Sequence, residues 1–463
     1  MTGRKSGHSR IVMFPVKGNI QYKDHMDNQL EERMGDARKE AVWNSNEYKT
    51  FAELDAVMHK WLEIKDWGLN KVIPAFIIAN QLPGNAVWAL LVGGSGSGKT
   101  VYISGLNYIP FIYTLSSLTP QTLISGQKGT QGLLWELGGK VLAMKDLTTI
   151  LEMNSDARSE ILSQFREIYD GYYEKAYGTG DVKKWHGKVG FIAGVTSIID
   201  IREQSYSALG ERFIKYRIIE PDRITIARRA LKNTTHMAEM DDEIRSTMAM
   251  FVKGTLAHAE KGEQLELEEE QQEQLIRLAD FATLARSPVT RDFGMTKEVI
   301  YKPSSEMPTR FTQQLSQIAI ALRLINKASG DGNTLLEIDN KILFKIALDS
   351  IPQMRRQMLQ KLAENISITT EEAAEATSYP TATARRYLED LFVLGICDRS
   401  RSGGGESGSH NWTLKGKYRA IMAEFDGVKL IDDDRLAEIE AEYYKDAEEV
   451  RSLFAAEENK EET

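Results

Sequence analysis

Val87-Trp-Ala-Leu-Leu-Val92-Gly93-Gly94-Ser95-Gly96-Ser97-Gly98-Lys99-Thr100 joins a short apolar run to a glycine loop ending in Lys-Thr. The run has the length of a strand buried on both faces, and the residues from Gly98 onward take helical spacing, so the order is strand, loop, helix. Gly93 to Thr100 fits G-x-x-x-x-G-K-[ST] in full, the phosphate-binding loop of P-loop nucleotide-binding proteins. Its glycines let successive backbone N–H groups turn inward around phosphates, and the following helix adds its positive end. Lys99 is placed to reach the β and γ phosphates and the Thr100 hydroxyl to ligate Mg²⁺. The expected cofactors are ATP and Mg²⁺.

Working outward, short apolar runs at 87–92, 140–144, 189–195 and 213–219 alternate with longer amphipathic stretches. That alternation predicts an α/β fold with a parallel sheet. Upstream, the spacing of Phe51, Leu54, Val57, Met58, Trp61 and Leu62 is helical, and Trp67 to Asn80 gives a second, more apolar helix. From Asp222 to about Lys327 the apolar positions are helix-spaced without a convincing strand, which reads as a helical lid. The division expected is a flexible basic arm over 1–50, a nucleotide-binding unit over 51–221, a lid over 222–330, a third unit over 335–425 and an acidic tail over 431–463.

The chain has 463 residues, 42 % of them hydrophobic, and a net charge of −9. At roughly 150 residues per domain this is two or three domains with enough apolar material for sizeable cores. No apolar run approaches the roughly 18 residues of a spanning helix, and the first residues lack a signal-peptide pattern. A cytoplasmic protein with no membrane partner is expected. The single cysteine, Cys397, leaves no pair for a disulfide or a structural zinc site, and reads as a small buried hydrophobe in a strand. Residues 431–463 carry thirteen acidic and four basic residues, a charge equal to the excess of the whole chain. The negative sign therefore describes the tail and does not weigh against a nucleic-acid partner.

Hydrolysis needs a carboxylate near the metal and the attacking water. The run Lys140-Val-Leu-Ala-Met144 ends in Lys145-Asp146, where an Asp-Glu pair is usual, so Asp146 is the one acid at that strand tip. It holds the metal through water, polarises the attacking water, or does both; capping the following helix is the plainer alternative.

In the order of these motifs the chain resembles the AAA+ superfamily of ring-forming ATPases, over roughly 51–326. Gly171 to Lys188 alternates like a β-hairpin just before the strand Val189 to Thr196, which resembles the clade of minichromosome-maintenance helicases and bacterial enhancer-binding activators. The resemblance implies a water-positioning polar residue at Thr196, where Asn is usual. It implies an arginine finger at Arg212, within Leu209-Gly-Glu-Arg212-Phe213, that completes a neighbouring subunit's site. It implies a second-sensor arginine at Arg310, within Pro308-Thr-Arg310-Phe, that contacts the γ-phosphate. A homo-oligomeric ring, usually a hexamer, follows from it. The large N-terminal domain of minichromosome-maintenance proteins has no counterpart in the fewer than a hundred residues before the phosphate loop.

Two elements suit DNA. The hairpin interleaves lysines with Tyr172, Tyr173, Tyr177 and Trp185, cations for phosphates and flat rings for bases; Lys183, Lys184 and Trp185 are expected at its tip. The third unit is similar to a winged helix-turn-helix: a capped helix from Thr369, a turn at Ser378 to Thr381, a recognition-like helix from Thr381 with Arg385 and Arg386 near its front, and a wing from Cys397 to Trp412 carrying Arg399 and Arg401. The leading expectation is an ATP-driven DNA motor of helicase or replication-initiator type, with replication or mobile-element proteins as possible partners. A nucleotide-gated scaffold on DNA or protein, with slow or no hydrolysis, is the alternative. A transcription activator lacks support, since no GAFTGA-like loop is present.

Overall fold

The computed structural model describes residues 35–124, 132–176, 182–201, 212–259, 266–292, 298–301, 305–402 and 409–426. The protein is α/β, built on a five-stranded parallel sheet in the order β2-β3-β6-β1-β7. The strands are β1 (Trp88–Val92), β2 (Ile112–Leu115), β3 (Val141–Met144), β6 (Gly190–Val195) and β7 (Phe213–Arg217). β1, β3 and β6 are buried at every position, the signature of central strands covered by helices on both faces. Four strands match the apolar runs of the sequence. β2 was not expected: it is an edge strand with only Ile112 buried, so its sequence lacks the continuous apolar signal.

A parallel sheet whose loops emerge at one end gathers the tips of β1, β3, β6 and β7. At the other end Trp88 packs among Phe165, Tyr169, Phe191 and Phe213, with ring centroids 5.2 to 5.6 Å away. Between β3 and β6 stand the helices Thr148–Leu151 and Ser155–Tyr169, the second capped by the Asn154 side chain, and the hairpin β4 (Tyr172–Ala176) and β5 (Val182–His186).

Helix Leu69–Gln81 is buried along almost its whole length, against helix Thr309–Ser329 of the expected lid. The lid region also holds helices Arg223–Asn233, Met237–Ala257 and Glu269–Arg286. It contains one small ribbon that the sequence did not suggest, β8 (Thr290–Arg291) with β9 (Val299–Tyr301). Within the expected arm over 1–50, residues 35–44 are helical, and residues 1–34 lie outside the described residues. Val42 is buried there, Trp43 meets the Phe111 ring at 5.9 Å, and Arg38 pairs with Asp242 at 2.9 Å.

The third unit contains helices Glu337–Asp349, Gln353–Glu364, Thr370–Thr377 and Thr381–Val393, then an antiparallel ribbon of β11 (Cys397–Ser402) and β12 (Ser409–Leu414) with the short β10 (Ile368–Thr369) against it. Thr369 and Glu372 form the expected capping box. Cys397 is buried in β11 and burial pushes its thiol up to about 12. Buried Trp412 donates to the Thr370 hydroxyl at 2.9 Å.

One hydrophobic cluster runs from the helices around the phosphate loop through the lid into this third unit. The Phe281 and Tyr418 rings stack across it, 5.3 Å apart. An ion network crosses the same boundary: Arg217, at the end of β7, pairs with Asp200 at 2.7 Å and donates its backbone N–H to buried Asp349 at 2.7 Å, and Asp349 also pairs with Lys345 and Arg356. Among the described residues no helix is long and apolar enough to cross a membrane.

Candidate nucleotide site and nucleic-acid surface

From β1 the chain turns through Gly93 to Gly98 into helix Lys99–Gly105. Gly96 and Gly98 have φ of +82° and +86°, where an L side chain is strained by roughly 1–2 kcal/mol, so the two central glycines are fixed by backbone shape. The loop closes on Lys99, whose ammonium donates to the carbonyls of Gly93 (2.7 Å) and Gly94 (2.6 Å) and to Ser97 Oγ (3.2 Å). Burial lowers the Lys99 pKa, opposed by the charges of Asp146 and Glu220. Glu220 accepts the Gly94 N–H at 2.5 Å, and a β-carbon on Gly94 would come 2.9 Å from its Oε1.

The tips of β3 and β6 stand beside this loop. Asp146 is exposed and its Oδ1 accepts the Thr148 N–H at 2.8 Å, so it does cap the following turn while its charge reaches Lys99. Thr148 Oγ1 lies 3.5 Å from Thr196 Oγ1 and 3.4 Å from the Thr196 nitrogen. The Leu147 N–H donates to Gly194 O at 2.8 Å, locking the tips together. Lys99, Asp146 and Thr196 thus meet, and Thr148 and Glu220 join them. Exposed Thr100 and exposed Asp146 supply one hydroxyl and one carboxylate. This donor set fits Mg²⁺, which keeps several waters and takes its other ligands from phosphates; among the described residues no group of three or more His, Cys, Asp or Glu forms a protein-only metal cage.

An apolar cavity of about 220 Å³ opens beside Gly96 to Gly98, between Leu62, Ile64, Val101, Ile218 and Ile226. Buried Asp66 fixes two of its walls by accepting from the Tyr216 hydroxyl (2.6 Å) and from the N–H groups of Ile219 (2.8 Å) and Gly68 (3.1 Å). Helix Arg223–Asn233 closes a third side, held by Asn233 on Trp61 O at 2.6 Å.

Arg212 and Arg310 lie elsewhere. Arg212 precedes Phe213, which stands in register with Trp88 at the start of β1, so it sits at the end of the sheet opposite the phosphate loop, a strand length of roughly 17 Å away. Its guanidinium is buried, pairs with Asp170 at 2.7 Å and lies 5.7 Å from the Tyr169 ring. Arg310 lies 5.7 Å from the same ring. Burial lowers the Arg212 pKa; Asp170 opposes this and Arg310 adds to it. The two arginines form a pair of their own, so Arg310 does not reach the phosphate loop of its own chain.

The hairpin corrects another expectation. Trp185 opposes Tyr173 and both are buried, 5 % exposed, in the core beneath the ribbon. Lys183 is half-buried, 5.6 Å from the Trp135 ring, and Lys184 is exposed and paired with Glu174 at 3.0 Å. Strict alternation turns the 183 and 185 side chains inward, so Trp185 has no free face for a base. The tip, 177–181, lies outside the described residues. On the third unit Arg385, Arg399 and Arg401 are exposed. Arg386 is half-buried beside Tyr387, and its carbonyl accepts from Arg291 at 2.8 Å.

No protein-family model and no curated protein matches this chain.

Glu220, Thr148 and Asp66 escaped the sequence reading. Glu220 follows β7, and only the strand order reveals that β7 flanks β1. Thr148 stands two residues after Asp146, a hint that a hydroxyl shares the strand tip. Asp66 lies in an unremarkable segment, and its partner Tyr216 is 150 positions away, beyond any local pattern.

Proposed function

We propose that the chain is an AAA+-type ATPase that works as a hexameric ring and drives a motor on DNA of helicase or replication-initiator type. The observation that carries this reading is the split of the site. Lys99, Thr100, Asp146 and Thr196 gather at one end of the sheet, and Arg212 and Arg310 stand at the other, so a full set of charges around one triphosphate requires a second copy. In the mechanism, Lys99 exchanges loop carbonyls for the β and γ phosphates, and the apolar cavity takes the base. Asp146 polarises the attacking water while Thr196 and Thr148 orient it. Arg212, exchanging its buried pairing with Asp170 for the phosphate, and Arg310 of the neighbouring copy stabilise charge on the transferred phosphoryl group. Mg²⁺, held by the Thr100 hydroxyl and by Asp146 through water, would neutralise phosphate charge. DNA would meet the hairpin's exposed lysine side and the winged unit's arginines.

The test is complementation. Lys99→Ala and Arg212→Ala should each lose steady-state ATPase activity, and mixing them should restore a fraction, since a mixed ring contains interfaces with both wild-type halves. Mixtures as inactive as either parent would remove the shared site. A second reading, the nucleotide-gated scaffold, is favoured by Lys145 in place of an acid and by the hydrogen bond that ties Asp146 to Thr148. ATPase rates with and without single-stranded DNA, for wild type and Asp146→Asn, separate the two: equal low rates in all four support the scaffold.

A further inference from the structure

The ribbon face that carries Arg399 and Arg401 on β11 also carries His410 and Trp412 on β12, because Arg401 stands opposite His410 and Arg399 opposite Trp412. Alternation puts all four on one side of the ribbon. That side faces helix Thr381–Val393, where Phe392 meets Trp412 at 6.4 Å between centroids. Arg399 lies 4.8 Å from the Phe392 ring and 5.8 Å from the Trp412 ring, and the His410 ring is 6.0 Å from Trp412. The result is a cationic surface cluster on an aromatic base, with Phe392 exposed over buried Trp412. Arg385 acts on His410 from the helix, and Arg399 and Arg401 act on it from β11. Among the described residues the one acid named as acting on His410 is Glu389, and its carboxylate is engaged by Arg291 at 3.4 Å.

His410 is the odd member. Its Nδ1 is buried and makes no hydrogen bond within the described structure. Burial, then Arg399, Arg401 and Arg385, hold its pKa below the ordinary histidine value, against Glu389. Three guanidiniums and a neutral imidazole in one cluster suit a tetrahedral anion, since the forks supply paired donors and the imidazole becomes a further donor once protonated.

We propose that this cluster binds one backbone phosphate of duplex DNA, with Arg385, Arg399 and Arg401 as standing cations and His410 taking a proton from solvent as the phosphate docks. The inference rests on the DNA reading above and adds to it a proton-linked contact. A phosphate offsets the guanidinium repulsion, so the bound state holds His410 protonated to a higher pH than the free state. Bound protein then carries more protons, and affinity rises as pH falls through the bound-state pKa, levelling off below the free one.

The experiment is fluorescence anisotropy of the full chain on a short duplex oligonucleotide at constant ionic strength, from about pH 8 to about pH 5.5, with His410→Gln and Arg399→Gln alongside. Wild type should tighten by about threefold to tenfold across this range, tenfold corresponding to a one-unit rise in pKa on binding. His410→Gln should match wild type near pH 8 and lose the dependence; Arg399→Gln should bind more weakly at every pH. Calorimetry in two buffers of different ionisation enthalpy should show proton uptake by wild type and none by His410→Gln. A pH slope unchanged in His410→Gln, or a flat wild-type profile, overturns the proton-linked contact while leaving DNA binding in place. Wild-type affinity in Arg399→Gln overturns the cluster as the phosphate site. Binding of single strands but of no duplex by wild type overturns this inference alone, and binding of neither at any pH removes the DNA reading with it.

Discussion

Glu220 is the residue at which the glycine loop meets a charge of the wrong sign for the triphosphate proposed to bind there. Its carboxylate holds the Gly94 N–H, and a triphosphate entering the loop would meet that negative charge. In a solvent-exposed setting such a repulsion is on the order of 1 kcal/mol. Glu220→Gln should therefore tighten ATP binding by about fivefold, read by titration calorimetry on the Lys99-intact protein; weaker binding would make Glu220 a necessary support of the loop. A second residue gives a pH signature. Lys188 donates to Leu82 O at 2.7 Å, and burial lowers its pKa to about 8. The fold favours the neutral amine, and the unfolded chain binds more protons between that value and the ordinary lysine pKa of about 10.4. Stability should rise with pH across that window, and Lys188→Met should flatten the rise in urea unfolding curves.

At the scale of elements, the hairpin separates two roles that its sequence blends. Trp185 lies in the core, and removing a buried ring costs about 3–5 kcal/mol. Trp185→Ala should lower the melting temperature markedly, and Lys184→Ala, at an exposed ion pair, should leave it within about 1 kcal/mol of wild type. Equal stability of the two variants would place Trp185 at the surface. The same element marks what sequence can disclose. Alternation announced a hairpin between Gly171 and Lys188, but the face turned inward depends on Trp135 and on the core under β6, which no local pattern contains. Buried strands β1, β3 and β6 were legible because covering on both faces demands unbroken apolar runs; β2, at the edge, was not. The phosphate loop was legible because its conformation dictates glycine at Gly96 and Gly98. The separation of Arg310 from that loop was hidden in the direction of helix Thr309–Ser329, which only packing against helix Leu69–Gln81 sets.

Over the whole molecule, the shared core joins residues 51–221, 222–330 and 335–425 into one body among the described residues. Calorimetric unfolding should give a single transition. ATP should raise its midpoint with near-ultraviolet signals from Trp88, in the sheet, and Trp412, in the wing, moving together, because a ligand of the folded state stabilises everything that unfolds with it. Two transitions, with the Trp412 signal unmoved by ATP, would divide the chain into separate thermodynamic units.

The stacking of Phe281 on Tyr418 carries a further consequence, for descent. A module joined by a loose tether can be exchanged by recombination, since neither side depends on the other's side chains. Here a foreign wing would arrive without the ring that Phe281 requires and without Asp349, which receives the Arg217 N–H. Innovation in this chain is therefore channelled into the ribbon and the hairpin, whose outward faces can change residue by residue while the joint behind them stays whole.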